Sequence, residues 1–150
     1  MSAGLAPEGG EPEFLRAFDI QAGDFAGAGN VSIAVKNLLK ELGFAPEVLR
    51  RAAIAAFEAE MNVVMYGGGG HMEVFIAPRA VRLVISDHGP GIPDLDLAMQ
   101  EGWSTATPEM REMGFGAGMG LPNIKRNSDQ LRITTAPGQG TRLQVDIFPR

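Results

Sequence analysis

Residues 46–92 read PEVLRRAAIAAFEAEMNVVMYGGGGHMEVFIAPRAVRLVISDHGPGI and carry the clearest secondary-structure signals of the sequence. Pro46 suits the first turn of a helix, and the apolar pattern continues to Tyr66, where four glycines end it. Two runs rich in β-branched residues follow, over residues 72–77 and 80–87, and a tight turn joins them. The stretch therefore predicts one long helix followed by a β-hairpin.

The sequence on both sides of this stretch supplies the remaining elements. Apolar periodicity predicts further strands and helices over residues 14–20, 30–42, 95–101, 119–128, 131–135 and 142–148. Asn30 is placed to cap the helix that begins there. Antiparallel neighbours with helices bunched between them predict an α+β fold: a two-layer α/β sandwich with a mixed, mostly antiparallel sheet and helices on one face.

Length and composition bound the function classes. The 150 residues, 45% of them hydrophobic, suit a single domain over residues 14–150, preceded by a disordered tail over residues 1–13. The net charge of −5 disfavours nucleic acid as a partner, and the lack of cysteine excludes disulfides and thiolate metal sites. The apolar runs are too short to cross a bilayer, and the chain start does not resemble a signal peptide. We therefore expect a cytoplasmic protein.

Glu58 and Asn62 form the first candidate site. They are four residues apart in the predicted long helix, so their side chains lie on nearly the same side of it, whereas Glu60 points the other way. Apolar residues of the neighbouring arc place the pair at the margin of the buried face; they are Ile54, Phe57, Met61, Val64 and Met65. A solvated helix edge, on which Arg51 pairs with Glu58, is the alternative.

Asp87 ends the second strand of the hairpin and is the next candidate. It alternates with Val81, Leu83 and Ile85, so it closes the apolar face of the strand, where a carboxylate is costly unless it is hydrogen-bonded. The turn over residues 88–92 holds two glycines, which permit unusual backbone angles and close approach of a flat ligand. An ordinary hairpin end with a turn-forming Asp is the alternative.

A glycine-rich loop precedes the helix predicted at residue 119. Its alternating glycines are Gly114, Gly116, Gly118 and Gly120. Free backbone N–H groups at a helix start suit a triphosphate, although the spacing matches neither the dinucleotide fingerprint nor a P-loop. A flexible linker is the alternative.

The order of these motifs resembles the Bergerat-fold (GHKL) ATPases, which include gyrase B, Hsp90, MutL, histidine kinases and anti-sigma kinases. The resemblance spans residues 14–148 and implies ATP and Mg²⁺ as cofactors. Its four matching stretches are Glu58-x-x-x-Asn62, Asp87-x-Gly89-x-Gly91-Ile92, the loop from Gly114 to Gly120, and Gly138-x-Gly140-Thr141.

The resemblance implies a role for each matching residue. Asn62 would ligate Mg²⁺, Glu58 would act as the base, and Asp87 would accept a hydrogen bond from the adenine amine. Thr141 would complete the adenine site, and residues 102–118 would form a lid over the phosphates. The other positions implied to bind the nucleotide are Gly89, Gly91, Ile92, Gly114, Gly116, Gly118, Met119, Gly120 and Leu121.

Residues 118–126, GMGLPNIKR, are most similar to the switch kinases of bacterial partner-switching modules. This resemblance implies a serine/threonine protein kinase that phosphorylates a STAS-type antagonist protein, with a sigma factor or phosphatase as a further partner. The first helix is available for a homodimer or partner surface. The alternative is a nucleotide-gated binding module that sequesters or activates a partner without catalysis. Glu58 favours the enzyme, since a pure binder needs no base.

Overall fold

The computed structural model describes residues 11–66, 68–92, 95–100 and 120–150. No helix among these residues has both the length and the apolar character that crossing a membrane requires. In chain order the elements are β1 (Glu13–Ile20), α1 (Asn30–Glu41), α2 (Pro46–Tyr66), β2 (Gly70–Ala77), β3 (Ala80–Asp87), α3 (Leu95–Ala98), α4 (Gly120–Arg126), β4 (Gln130–Thr135) and β5 (Thr141–Ile147).

The bounds of α2 and β3 agree with the prediction, and most other elements differ from it by one or two residues at an end. β2 begins two residues earlier than predicted, because Gly70 pairs with Asp87. A side chain at Gly70 would overlap the carbonyl oxygen of Ser86, so the strand can begin there only with glycine. The element ends predicted at residues 101 and 119 lie outside the described residues.

The five strands of the sheet lie in the order β1-β2-β3-β5-β4. The predicted α+β sandwich is confirmed. All four neighbouring strand pairs are antiparallel, however, so the described sheet is antiparallel and not mixed. β5 lies between β3 and β4, with Ser86 opposite Arg142 and Thr135 opposite Thr141. The last residues of β3 and β4 and the first residues of β5 therefore meet at one edge of the sheet.

Helix α2 packs on one face of the sheet. It does so with small side chains, which let the helix approach the strands closely. The prediction that Ile54 and Phe57 belong to the buried face was wrong, because Phe57 is 40% exposed and Ile54 is half-buried. The residues of α2 that are completely buried are instead Val48, Ala52, Ala55, Ala56 and Ala59.

The first turn of α1 is capped from α2 and not by its own sequence. The prediction that Asn30 caps α1 was wrong, because the N-cap is Gly29, whose φ of 99° suits glycine and whose residue type offers no side chain. The carboxylate of Glu60 accepts hydrogen bonds from the N–H groups of Gly29, Val31 and Ser32 at 3.1, 3.3 and 3.0 Å. These groups have no partner within the helix, so the buried charge of Glu60 is stabilised by them and by the helix dipole.

Arg51 joins the start of α2 to the end of the chain. The alternative in which Arg51 pairs with Glu58 does not hold, since Arg51 binds Glu47 and Asp129, both at 2.9 Å, and donates to the carbonyl oxygen of Phe148. The pKa of Glu47 lies below its usual value of 4.5, chiefly because the N–H of Arg150 donates to it and also because Arg51 does. Arg51 is thereby kept away from the candidate site.

Candidate functional site

The C-terminal end of α2 lies beside the C-terminal end of β3. An added Cβ at Gly68, just after α2, would lie 3.7 Å from the carbonyl oxygen of His88, just after β3. Asn62 is one helical turn before the end of α2, a distance of about 6 Å along the axis. The fold therefore brings the Glu58 and Asn62 motif to the edge of the sheet at which Asp87 lies.

Asp87 is held in place by two backbone groups. It is half-buried, and its Oδ1 accepts hydrogen bonds from the N–H of Gly89 at 3.0 Å and the N–H of Thr141 at 3.1 Å. Its Oδ2 has no hydrogen-bond partner among the residues that the structure describes. A fixed carboxylate with one free oxygen is suited to accept a hydrogen bond from a ligand.

Two glycines allow the turns around Asp87 to touch. Gly91 has a φ of 81°, and a side chain there would overlap the carbonyl oxygen of Ala136. Gly140 has a φ of 79°, and a side chain there would overlap the carbonyl oxygen of Asp87. Both positions therefore require glycine for conformation and for space. We call this part of the site, which comprises residues 87–92, 135 and 140–141, the purine end, after the role that the family resemblance implies for Asp87.

Thr135 connects these turns, and sequence reasoning missed it. Its Oγ1 accepts a hydrogen bond from the N–H of Ile92 at 2.8 Å and lies 3.1 Å from Oγ1 of Thr141 and 3.3 Å from the carbonyl oxygen of Gly140. A threonine at the end of an amphipathic strand gives no sign of this role. Only its position opposite Thr141, the predicted site residue, distinguishes it once the register is known.

Glu58 and Asn62 meet the start of α4. Oε2 of Glu58 accepts a hydrogen bond from Nδ2 of Asn123 at 2.8 Å. An added Cβ at Gly120 would lie 3.3 Å from Oδ1 of Asn62 and 3.8 Å from Oε1 of Glu58. The amide of Asn62 makes no hydrogen bond within the described part of the chain. We call Glu58, Asn62, Gly120 and Asn123 the base end, after the role that the family resemblance implies for Glu58.

Asn123 is a second residue that sequence reasoning missed. It lies one turn after Gly120 in α4 and reaches Glu58 across 65 positions of sequence. The spacing of three from Gly120 was the available signal, since residues three apart share a helix face. Leu121, a predicted nucleotide contact, is 6% exposed and packs in the core, as does half-buried Ile92, so their side chains anchor the start of α4 and the turn after β3.

Four predicted site residues lie outside the described residues. They are Gly114, Gly116, Gly118 and Met119, and the predicted lid over residues 102–118 lies there too. Glu58, Asn62, Asp87, Gly89, Gly91, Ile92, Gly120, Leu121 and Thr141 lie within the described residues.

A groove of about 590 Å³ borders the base end, between α1, α2 and α4. Polar side chains of Glu58, Asn123 and Asn127 line it together with the apolar side chains of Ile33 and Phe57. Ile33 is 58% exposed and Phe57 is 40% exposed, so two large apolar side chains are exposed on the same groove. The carboxylate of Glu58 therefore faces a surface that another molecule can reach.

The residues present fit a magnesium–nucleotide complex. Within the described part of the chain, the purine end offers a carboxylate oxygen without a hydrogen-bond partner beside glycine turns, and the base end offers a carboxylate and an amide without such a partner. The described residues contain no group of three His, Asp or Glu side chains placed to hold a metal ion. Mg²⁺ needs few protein ligands when phosphate oxygens supply the others, so the single amide of Asn62 fits such a complex.

Comparison with known proteins defines the class. The family of histidine kinase-, DNA gyrase B- and HSP90-like ATPases matches residues 30–150, and the chain belongs to this family. The resemblance stated from the motifs is thereby confirmed, and with it the use of ATP.

Relatives narrow the class further. The chain is 34% identical over 114 residues to the serine/threonine-protein kinase RsbT of Bacillus subtilis (strain 168), covering 73% of this chain and 80% of RsbT. It is 30% identical over 99 residues to an anti-sigma F factor of Thermoanaerobacter sp. (strain X514), covering 63% of this chain and 66% of that protein. These matches confirm the predicted class, a protein serine/threonine kinase of the partner-switching type.

Solved structures share the fold. The structure of the RsbU and RsbW domains of Rv1364c from Mycobacterium tuberculosis matches with a TM-score of 0.57 and 16% identity, covering 89% of this chain and 32% of that chain. The SiaB–SiaC complex from Pseudomonas aeruginosa matches with a TM-score of 0.53 and 12% identity, covering 91% of both chains. At these identities the matches bear on the fold alone.

Proposed function

We propose that this protein transfers the γ-phosphoryl group of ATP, bound with Mg²⁺, to a serine or threonine of a STAS-type antagonist protein. The observation that carries the proposal is the position of Glu58, whose carboxylate lines an exposed groove and lies near Gly120, as does the amide of Asn62. The acceptor and ATP would thus meet at this carboxylate. ATP and such regulatory partners are cytoplasmic, so the proposal includes a cytoplasmic location.

The base end suits phosphoryl transfer. The acceptor oxygen forms a bond to the γ-phosphorus as the bond from that phosphorus to the bridging oxygen breaks, ADP leaves, and the acceptor proton passes to Glu58. Oε2 of Glu58 is held by Asn123, and Oε1 accepts no hydrogen bond from the described residues, so Oε1 is the atom that takes the proton. Asn62 would hold Mg²⁺, which supplies charge neutralisation at the phosphates.

Labelled ATP, Mg²⁺ and purified STAS-type partners test this proposal. We expect label on the partner, and we expect Glu58→Gln to lower the transfer rate at least about 100-fold with the Kd for ATP changed less than about threefold. Glu73→Gln is the matched control, because Glu73 is equally half-buried but lies on strand β2 with the opposite parity to core residues Met72 and Val74. Tight ATP binding without transfer to any partner would refute the proposal.

The groove gives the acceptor a route to Glu58. Replacing both Ile33 and Phe57 by Ser should raise the KM for the acceptor protein about tenfold and leave the Kd for ATP unchanged, because apolar contacts at the rim of a site bind the partner and not the nucleotide. Phe14→Ser and Leu42→Ser are matched controls, with side chains 57% and 46% exposed away from the groove. An equal effect of the control pair would show that the groove has no special part.

A second candidate function is nucleotide-dependent binding of a regulatory partner without phosphoryl transfer. The exposed Ile33 and Phe57 favour it, as do the similar proteins named anti-sigma F factors. Glu58→Gln distinguishes the two, because a binding module keeps its effect on the partner without the base. Three further expectations stay predictions: a homodimer, a sigma factor or phosphatase as a further partner, and a single domain over residues 14–150.

A further inference from the structure

We infer that Thr135 is a positioning residue that sets which purines the site accepts, by fixing the direction in which the hydroxyl of Thr141 donates. The inference rests on the proposed binding of ATP at the purine end. Neither the motifs nor the family resemblance pointed to Thr135.

The contacts of Thr135 determine the placement of its single proton. A threonine hydroxyl has one proton to donate and two lone pairs to accept with. The N–H of Ile92, 2.8 Å away, can only donate, so it uses one lone pair. The carbonyl oxygen of Gly140, 3.3 Å away, can only accept, so we assign the proton of Thr135 to this contact. One lone pair of Thr135 remains.

On this assignment the hydroxyl of Thr141 is the donor between the two threonines. Their Oγ1 atoms are 3.1 Å apart, and Thr135 has only a lone pair left for this contact. With its proton directed at Thr135, Thr141 offers only lone pairs to a ligand. The N–H of the same residue binds Oδ1 of Asp87 at 3.1 Å, so Thr141 and Asp87 are direct neighbours. The purine end therefore presents two acceptors and no hydroxyl donor from these residues.

Two acceptors discriminate between purines. The exocyclic amine of adenine donates hydrogen bonds, whereas the carbonyl that replaces it in hypoxanthine accepts them. A carbonyl placed against two acceptors leaves buried polar groups unpaired, which is costly. Without the hydroxyl of Thr135, the proton of Thr141 is released and can turn to donate to such a carbonyl.

Calorimetric binding of ATP and of ITP, which carries hypoxanthine, tests the inference on the full chain. Thr135→Val replaces the hydroxyl by a methyl group of similar size, and we expect it to lower the preference for ATP over ITP about tenfold. Thr135→Ser keeps the hydroxyl and should retain the preference within about threefold. Thr134→Val is the matched control, since Thr134 is the exposed neighbour in β4.

The outcomes separate the inference from the function on which it rests. A wild-type chain that binds neither nucleotide would overturn the proposed function. A wild-type chain that prefers ATP, with the same preference in Thr135→Val, would overturn the inference alone. A loss of affinity for both nucleotides in equal proportion would assign Thr135 a purely structural role and would also count against it. Thermal unfolding of each variant confirms that the measured chains are folded.

Discussion

The purine end and the base end consist of different kinds of chemical groups. At the purine end, backbone groups and glycines surround Asp87, and even one methyl group at Gly140 would overlap a carbonyl oxygen. At the base end, side chains of α2 and α4 form the site. A methyl group at Gly120 would only approach the amide oxygen of Asn62 to 3.3 Å. The first end is therefore specified by shape, and the second by residue type.

The largest effect on ATP binding should come from a steric overlap at the purine end. Gly140→Ala combines a φ of 79° with overlap on Asp87, whereas Gly138→Ala has a similar φ of 74° with open space around it. The φ strain alone costs about 1–2 kcal/mol, so we expect Gly138→Ala to weaken ATP binding less than about tenfold and Gly140→Ala more than about 100-fold. Calorimetry on both folded variants measures this. Equal effects would mean that close backbone contact does not build the purine end.

A change of residue type at the purine end should come next. Asp87→Asn keeps an oxygen for the N–H groups of Gly89 and Thr141 and replaces the free oxygen by an amide nitrogen. Loss of one charged acceptor should raise the Kd for ATP about 10–100-fold. Asp19→Asn, at an exposed position of β1, is the control. A change below about threefold would show that Asp87 serves the turn and not the ligand.

The cap that Glu60 provides for α1 should affect the stability of the protein more than its affinity for ATP. Glu60→Gln leaves one acceptor oxygen for three N–H groups, so we expect the free energy of unfolding to fall by about 1–2 kcal/mol in denaturant titrations. The Kd for ATP should change less than about threefold, because Asp87 is untouched. Glu41→Gln, exposed in the last turn of α1, is the control and should be close to neutral.

A methyl group at the base end should have a small effect. Gly120→Ala requires Asn62 to retreat by a few tenths of an ångström, and its flexible side chain can do so. We expect the transfer rate to fall about threefold at low Mg²⁺ and to recover at high Mg²⁺, since the proposed metal ligand is displaced and not removed. A loss as large as that of Gly140→Ala would erase the contrast between the two ends.

The smallest effect should lie outside both ends, at Glu47. Its pKa is lowered, first by the N–H of Arg150 and then, against the opposing effect of burial, by Arg51. The stabilisation is therefore complete above 4.5, the usual value, and is lost as the pH falls below it. Unfolding free energies of wild type and Glu47→Gln should converge between about pH 6 and about pH 3. ATP binding should not distinguish the two chains at neutral pH.

The sequence predicted the elements and motifs better than their partners. Helical spacing placed Glu58 and Asn62 on one side of α2, and strand parity placed Asp87 at the end of a buried face, because both follow from local geometry. Periodicity carries no information about which residue lies across a gap. Asn123 and Thr135 act through contacts 65 and 43 positions away in sequence, and only the fold brings them to Glu58 and Ile92.

The wrong predictions have the same origin. Phe57 and Ile54 were assigned to the buried face because they are large and apolar, but alanines of α2 occupy that face instead. Asn30 has the residue type of a helix cap, yet a distant carboxylate takes that role. Residue type thus predicts what a side chain can do, whereas competition from other parts of the fold decides whether it does so.

The carboxylate of Glu60 has a consequence for protein engineering. It lies between Glu58 and Asn62 in sequence, points to the other side of the helix and satisfies the first turn of α1. Helix α1 and residue 60 must therefore be transferred together when segments are exchanged between relatives. A chimera that imports α1 from a relative without matching this position would leave either a buried charge or three backbone donors without a counterpart.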